Sequence, residues 1–211
     1  MKHLIIIGAR GFGREVLWTA QNTIAYRNGE YDIKGFLDDK ADALVGYNGI
    51  FPPIIGPVET YEVTPDDVFF CALGDSQYRK HYSSIIEDKG GHFISLISPL
   101  AAISPNCTIG VGTIIGAYSI ISDNVKIGRH VMIQSFDDLG HDAEVGDYAS
   151  IMSYVFMGGY AKLGECSVLN TKSSIIPHKV VGNNASVGIN SVVIRSVKDN
   201  QHVFGNPATI I

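Results

Sequence analysis

The sequence predicts two architectures in one chain: an α/β domain built on a parallel sheet, then a parallel β-helix. Three observations predict them. From Ile103 to Val193 an aliphatic residue recurs every six positions without a slip. Before that stretch, apolar strand-like runs alternate with glycine turns and helix-like segments. Pro99 and Pro105 bracket the change of pattern, so the boundary is placed at residue 98, giving domains 1–98 and 99–211.

The first domain reads in order. HLIIIGARGFGREVLWTAQ, from His3, is a buried strand, a glycine turn and a helix. YDIKGFLDDK is a second strand ending in carboxylates, and DVFFCALGDSQYRKHYSSIIEDKG is a third strand, a turn and a helix. HFISLISP is a fourth strand. Strands alternating with helices define a small Rossmann-like βαβ sheet.

The second domain obeys one rule. The aliphatic places run Ile103, Ile109, Ile115 and onward through Leu139, Met157 and Ile175 to Val193, sixteen hexads in all. Glycine follows the aliphatic residue in most of them. Neither a heptad nor a helix of 3.6 residues per turn holds a step of six. A hexapeptide β-helix does: each hexad gives one short strand and one corner, and three hexads close a triangular coil. Glycine or asparagine at the corners accepts backbone angles that other residues resist. Sixteen hexads give about five coils. No insertion breaks the register, so a single prism has no deep cleft of its own. A homotrimer with sites in the grooves between prisms is expected.

Composition removes several function classes. The chain of 211 residues is 45% hydrophobic and only 18% charged, which fits folded domains and not a disordered chain. The net charge is −5 and the basic residues form no stripe, so neither nucleic acid nor an anionic membrane is an expected partner. The apolar run LIII is too short for a signal-peptide core or a membrane span, and a cytoplasmic location is expected. Cys71, Cys107 and Cys166 make no CxxC pair and read as reduced, buried small residues. His130, His141 and His178 lack the spacing of a three-histidine metal site, so no metal is expected. His130 and His178 fall where side chains point outward and read as solvated.

Two motifs carry chemistry. GARGFGRE, Gly8 to Glu15, is not GxGxxG, but it sets backbone N–H groups at a helix N-terminus, a natural anion site. A tight turn with no ligand is the competing reading. Asp38 and Asp39 lie too far along for the usual dinucleotide acid. The second motif is LGHDAEVG, where His141 takes the outward third place of its hexad with Asp142 directly after it.

Taken together, the IIGxxGxGRE turn, GFLDD, ALGD followed by an arginine, and a hexapeptide prism with one such histidine resemble the bacterial sugar acyltransferases of surface-polysaccharide biosynthesis. That family includes nucleotide-linked 4-amino-sugar N-acetyltransferases and sialic acid O-acetyltransferases. The resemblance covers nearly the whole chain. It implies left-handed winding of the β-helix, a nucleotide-sugar site in the first domain and acetyl-CoA along the prism. By position it implies that Gly8, Arg10, Gly11, Phe12 and Gly13 approach the nucleotide phosphates or sugar. Asp38 and Asp39 would approach the base or ribose, with Gly74, Asp75 and Arg79 around the same cleft. For the last three, a capped helix start with a solvated arginine is the alternative. Gln134 would contact the sugar, and the coenzyme would pass Gly159, Lys162, Gly188, Ile189 and Asn190.

The resemblance makes His141 the general base. Acetyl-CoA is already activated, and what is missing is a nucleophile free of its proton. An imidazole, with a reference pKa of about 6.5, accepts that proton near neutrality and returns it to the leaving thiolate. Asp142 would fix the tautomer, and the Gly159 N–H would meet the tetrahedral oxygen. The leading expectation is therefore an acetyl-CoA-dependent N-acetyltransferase for a nucleotide-linked 4-amino-6-deoxy sugar. An O-acetyltransferase for sialic acid or another sugar, and a non-catalytic trimeric prism that binds a nucleotide sugar, are the alternatives.

Overall fold

Five parallel strands form the first sheet: β1 (Lys2–Ile7), β2 (Tyr31–Leu37), β3 (Ile54–Gly56), β4 (Asp67–Cys71) and β5 (His92–Phe93), in the order β3-β2-β1-β4-β5. The computed structural model describes all 211 residues, in two units, Met1–Leu96 and Ile97–Ile211. Leu4 to Ile7, Phe36, Leu37, Phe69 and Phe70 are almost wholly buried. Such continuous apolar runs are what strands covered on both faces require. Helices α1 (Gly11–Asn22), α2 (Ile24–Arg27) and α3 (Ser76–Asp88) complete this unit. Two details differ from the sequence reading. The short β3 adds a fifth strand. HFISLISP is not one strand: His92–Phe93 joins the first sheet, and Leu96–Ile97 joins the solenoid.

In the solenoid, sixteen strands of two residues each run from Ala102–Ile103 to Val192–Val193, one per hexad. The first thirteen each pair in parallel with the strand eighteen residues on, as Asp138 with Phe156 and Leu139 with Met157. The second residue of each pair points inward, and Ile115, Ile133, Leu139, Ile151, Leu169 and Ile175 are fully buried in one continuous core. Burial of each such side chain contributes about 1.5–3 kcal/mol relative to exposure.

The corners correct the expected role of glycine. The residue three after the aliphatic place lies in the left-handed region at fourteen successive corners, from Gly112 through Asp142 to Asn190, and only the first is glycine. None is β-branched, which is the class that region penalises most. The repeat glycines sit two residues earlier and serve close approach. A Cβ on Gly146 would come 2.6 Å from the Glu165 nitrogen, and one on Gly158 would come 2.5 Å from the Pro177 nitrogen.

A second ladder lies inside the prism, at the place two before each aliphatic residue. The Ser119 hydroxyl donates to the Gln134 carbonyl (2.7 Å) and accepts from the Asp137 N–H (3.2 Å). Thr113 and Ser167 repeat this pattern on other coils. Asp137 stands in the same ladder: it is 1% exposed, and its Oδ1 accepts the Val155 N–H (2.8 Å).

His130 is also corrected. It is fully buried, with its ring stacked on Tyr148 at 4.9 Å and 4°. Stacking along the corner column replaces the solvent contact that its outward place implied. No helix is long and apolar enough to cross a membrane.

Candidate active site

The first candidate site is a cleft of about 590 Å³ at the carboxyl ends of β1, β2 and β4. The strand order reverses between β1 and β4, which is where open α/β sheets hold ligands. Gly8, Arg10, Phe12, Gly13, Asp38, Asp39 and Gly74 line it, with Glu59, Tyr78 and Tyr82. Gly8 has φ +94°, and a Cβ on Gly13 would collide with the Gly8 carbonyl oxygen. These two glycines let the start of α1 close onto the end of β1. The helix has no side-chain cap and no acidic residue in its first turn, so its leading N–H groups stay available to an anion.

Each polar residue of the cleft has a traceable task. Asp38 is a brace: Oδ2 accepts the Ala9 N–H (2.9 Å) and Oδ1 accepts the Lys40 N–H (3.0 Å). Burial alone would raise its carboxyl, but these N–H groups, with Asp39 and Arg10, hold it below the usual carboxylate range. Arg10 reaches exposed Asp39 at 3.4 Å. Gly11 does not line the cleft, and neither does Arg79. Arg79 is fully buried, and its guanidinium donates to the carbonyls of Leu73 (2.7 Å) and Gly74 (3.1 Å). It is neither a cleft residue nor the solvated arginine of the alternative reading; it holds the turn before α3. Asp75 caps that helix through the N–H groups of Gln77 and Tyr78.

The second candidate site is one corner of the prism. His141 Nδ1 lies 2.8 Å from Asp142 Oδ2, and Asp142 Oδ1 accepts from Asn124 Nδ2 at 2.7 Å. His141 and Asn124, with a smaller contribution from Tyr160, hold the Asp142 carboxyl below its ordinary range. Asp142 is therefore ionised near neutrality and accepts the Nδ1 proton, which leaves the Nε2 lone pair free. The Tyr160 ring meets the imidazole edge-on at 5.2 Å and stacks on His178 at 4.8 Å.

Nε2 faces Gly159. A Cβ there would stand 2.8 Å from Nε2, so only glycine leaves that nitrogen approachable. The Gly159 N–H is the other half of the corner. At the same place elsewhere, the next coil caps the N–H: Asp147 caps Arg129 (2.8 Å) and Asn183 caps Glu165 (2.8 Å). Below Gly159 the next coil carries Pro177, which offers no side-chain acceptor.

The remaining expected residues do not gather here. Lys162, on the adjoining face, is tied to Glu144 at 3.0 Å. Gln134, Gly188, Ile189 and Asn190 lie on a different corner column, at positions related by steps of eighteen. The Gln134 amide oxygen accepts from Ser153 (3.1 Å). Sequence reasoning missed Asn124, Tyr160 and the ring of His178. Their signal was the step of eighteen itself: 124, 142, 160 and 178 form one column.

An α/β domain joined to a hexapeptide prism, with a carboxylate-held histidine at a corner, is the arrangement expected from the resemblance to hexapeptide-repeat acyltransferases. More particularly, residues 3–86 match the PglD N-terminal domain family. The acetyltransferase domain of PglB from Neisseria gonorrhoeae, solved with acetyl coenzyme A, superposes with a TM-score of 0.88 at 25% identity, over 100% of this chain and 99% of that one. PerB from Caulobacter crescentus, solved with CoA and GDP-perosamine, shares the fold with a TM-score of 0.89 at 23% identity, over 100% and 98%. The chain spans about half the length or less of the curated relatives it matches. One is UDP-N-acetylbacillosamine N-acetyltransferase of Bacillus subtilis, 30% identical over 121 residues, 56% of this chain and 52% of that protein. The α/β domain followed by a left-handed parallel β-helix is thus borne out.

Proposed function

We propose that the protein is an acetyl-CoA-dependent N-acetyltransferase acting on the amino group of a nucleotide-linked 4-amino-6-deoxy sugar. The observation that carries this reading is the corner geometry: Nδ1 of His141 is held by Asp142 at 2.8 Å while Nε2 opens onto Gly159. Nε2 takes a proton from the sugar amine as its nitrogen attacks the thioester carbonyl carbon. The negative oxygen of the tetrahedral intermediate meets the Gly159 N–H. Collapse breaks the C–S bond, and the imidazolium returns its proton to the CoA thiolate. The products are the N-acetyl sugar and CoA. Asp142 stays ionised and stabilises the imidazolium.

The glycine cleft, with its uncapped helix start and Arg10, suits a nucleotide diphosphate. Similarity to the PglB domain and to the Bacillus N-acetyltransferase supports an amino sugar as acceptor. Gln134 and Gly188 to Asn190 sit on a different corner from His141 and Gly159. A sugar and a coenzyme that between them reach both sets bridge two prisms, which supports a homotrimer with its sites between subunits.

The test is thiol release from acetyl-CoA with UDP-, dTDP- and GDP-linked 4-amino sugars and free sialic acid, for wild type and His141→Ala. Turnover on one amino sugar, lost by at least two orders of magnitude in the variant, is expected. Turnover on sialic acid alone would move the assignment to O-acetylation. Coenzyme A binding without turnover on any sugar would leave a binding prism.

A further inference from the structure

We propose that Asn124 is a positioning residue for the acyl transfer: its side-chain amide locks the Asp142 carboxylate and thereby fixes the His141 imidazole with its proton on Nδ1. The proposal rests on the reading of His141 as the base.

The argument begins with exposure. The His141 side chain is 60% exposed, and that of Asp142 is 28% exposed. A histidine–carboxylate pair open to water is weak, because both side chains can rotate toward solvent. A catalytic base needs one tautomer, since only Nε2 faces Gly159. Something must keep the pair from drifting.

Asn124 supplies that restraint from the coil above. Its Nδ2 donates to Asp142 Oδ1 at 2.7 Å, while Oδ2 takes the His141 Nδ1 proton at 2.8 Å. A carboxylate with its two oxygens engaged from different directions cannot rotate about its short stem without losing a hydrogen bond. The backbone is fixed as well: the Asp142 N–H donates to the Asp123 carbonyl at 3.0 Å. Asn124 and Asp142 are successive left-handed corners, with φ of 57° and 60°. Asn and Asp tolerate that region, so both side chains project from one column and meet.

No other contact in the structure requires Asn124 to be asparagine. Its side chain is exposed and packs no core. Asn124→Gly keeps the left-handed corner and removes only the amide.

The experiment compares wild type, Asn124→Gly and Asn124→Asp with ¹⁵N-histidine NMR of the free protein, the His141 signals being assigned by their absence from His141→Ala. Wild type is expected to show His141 as a single Nδ1–H tautomer. Asn124→Gly is expected to show a mixture, with the melting temperature within about two degrees of wild type. Asn124→Asp sets a carboxylate against a carboxylate and is expected to disturb the pair further. With acetyl-CoA and the 4-amino sugar that turns over, kcat of Asn124→Gly is expected to fall roughly tenfold, with both KM values within twofold. On an Asp142→Asn background, Asn124→Gly should have no further effect. An unchanged tautomer, or a wild-type kcat in Asn124→Gly, would overturn the proposal. The catalytic reading fails separately, by full turnover in His141→Ala.

Discussion

Gly159 shows how one missing methyl group shapes a reaction. Its Cα borders His141 Nε2, and its N–H lacks the side-chain cap that Asp147 and Asn183 supply on another corner. Gly159→Ala places a carbon 2.8 Å from Nε2, where the sugar amine must arrive. Its φ is not in the left-handed region, so the backbone itself accepts alanine and the added methyl meets only the imidazole. The expected result is a loss of kcat of at least a hundredfold, with the histidine-tautomer spectrum and the melting temperature preserved. Wild-type turnover in this variant would remove Gly159 from the site. At this scale the sequence was half legible. His141 stood out because two ionisable residues interrupt a bland repeat. Asn124 did not, since an isolated asparagine at a corner reads as turn chemistry until the coil above is laid over the coil below. Arg79 differs for the opposite reason: the resemblance set it around the cleft, yet its guanidinium is held in the interior by two backbone carbonyls.

Within the coil, Asp137 is the one carboxylate in a ladder of hydroxyls and small apolar groups. Its Oδ2 has no hydrogen-bond partner, and burial pushes the carboxyl up to about 8. In the unfolded chain it titrates at about 3.9. Between those values the native state holds a proton that the unfolded state has released. Stability from this group is therefore full below about pH 4 and falls as pH rises, by about 1.4 kcal/mol per unit at most, until it levels off near 8. Asp137→Ser copies Ser119 and Ser167 and removes the penalty. Urea unfolding should find the variant more stable than wild type at pH 8, with the gap shrinking toward pH 5. An equal difference at both pH values would show that Asp137 is ionised throughout. The repeat itself was fully legible, one strand per aliphatic place, because a period of six leaves a strong trace. The torsions of its corners were not. Fourteen corner residues share one backbone angle, and their only common sign is that none is branched at Cβ.

For the molecule as a whole, the alternation of strand and helix revealed the α/β unit, but not β3, a three-residue strand with no buried residue. The division of expected site residues between two corners could not be read from one chain's pattern, because a step of six names a place in the hexad and not a face of the prism. If two copies complete each site, inactive variants should rescue one another. His141→Ala and Gln134→Ala, each impaired alone, should recover activity when co-expressed, with about a quarter of all sites carrying both native side chains. Sedimentation should give a mass three times the 22.8 kDa chain. No recovery, together with a monomer mass, would place the whole site within one prism.

The stacking of residue i on residue i + 18 has a last consequence. It gives the solenoid something like a reading frame. An insertion of eighteen residues adds a floor and leaves every column in phase. One of six keeps the core sealed but turns all later corners by a third of a revolution. Placed between Asp142 and Gly159, such an insertion would carry Gly159, Tyr160 and His178 away from His141 while every aliphatic residue still pointed inward. The fold would survive and the chemistry would be out of frame.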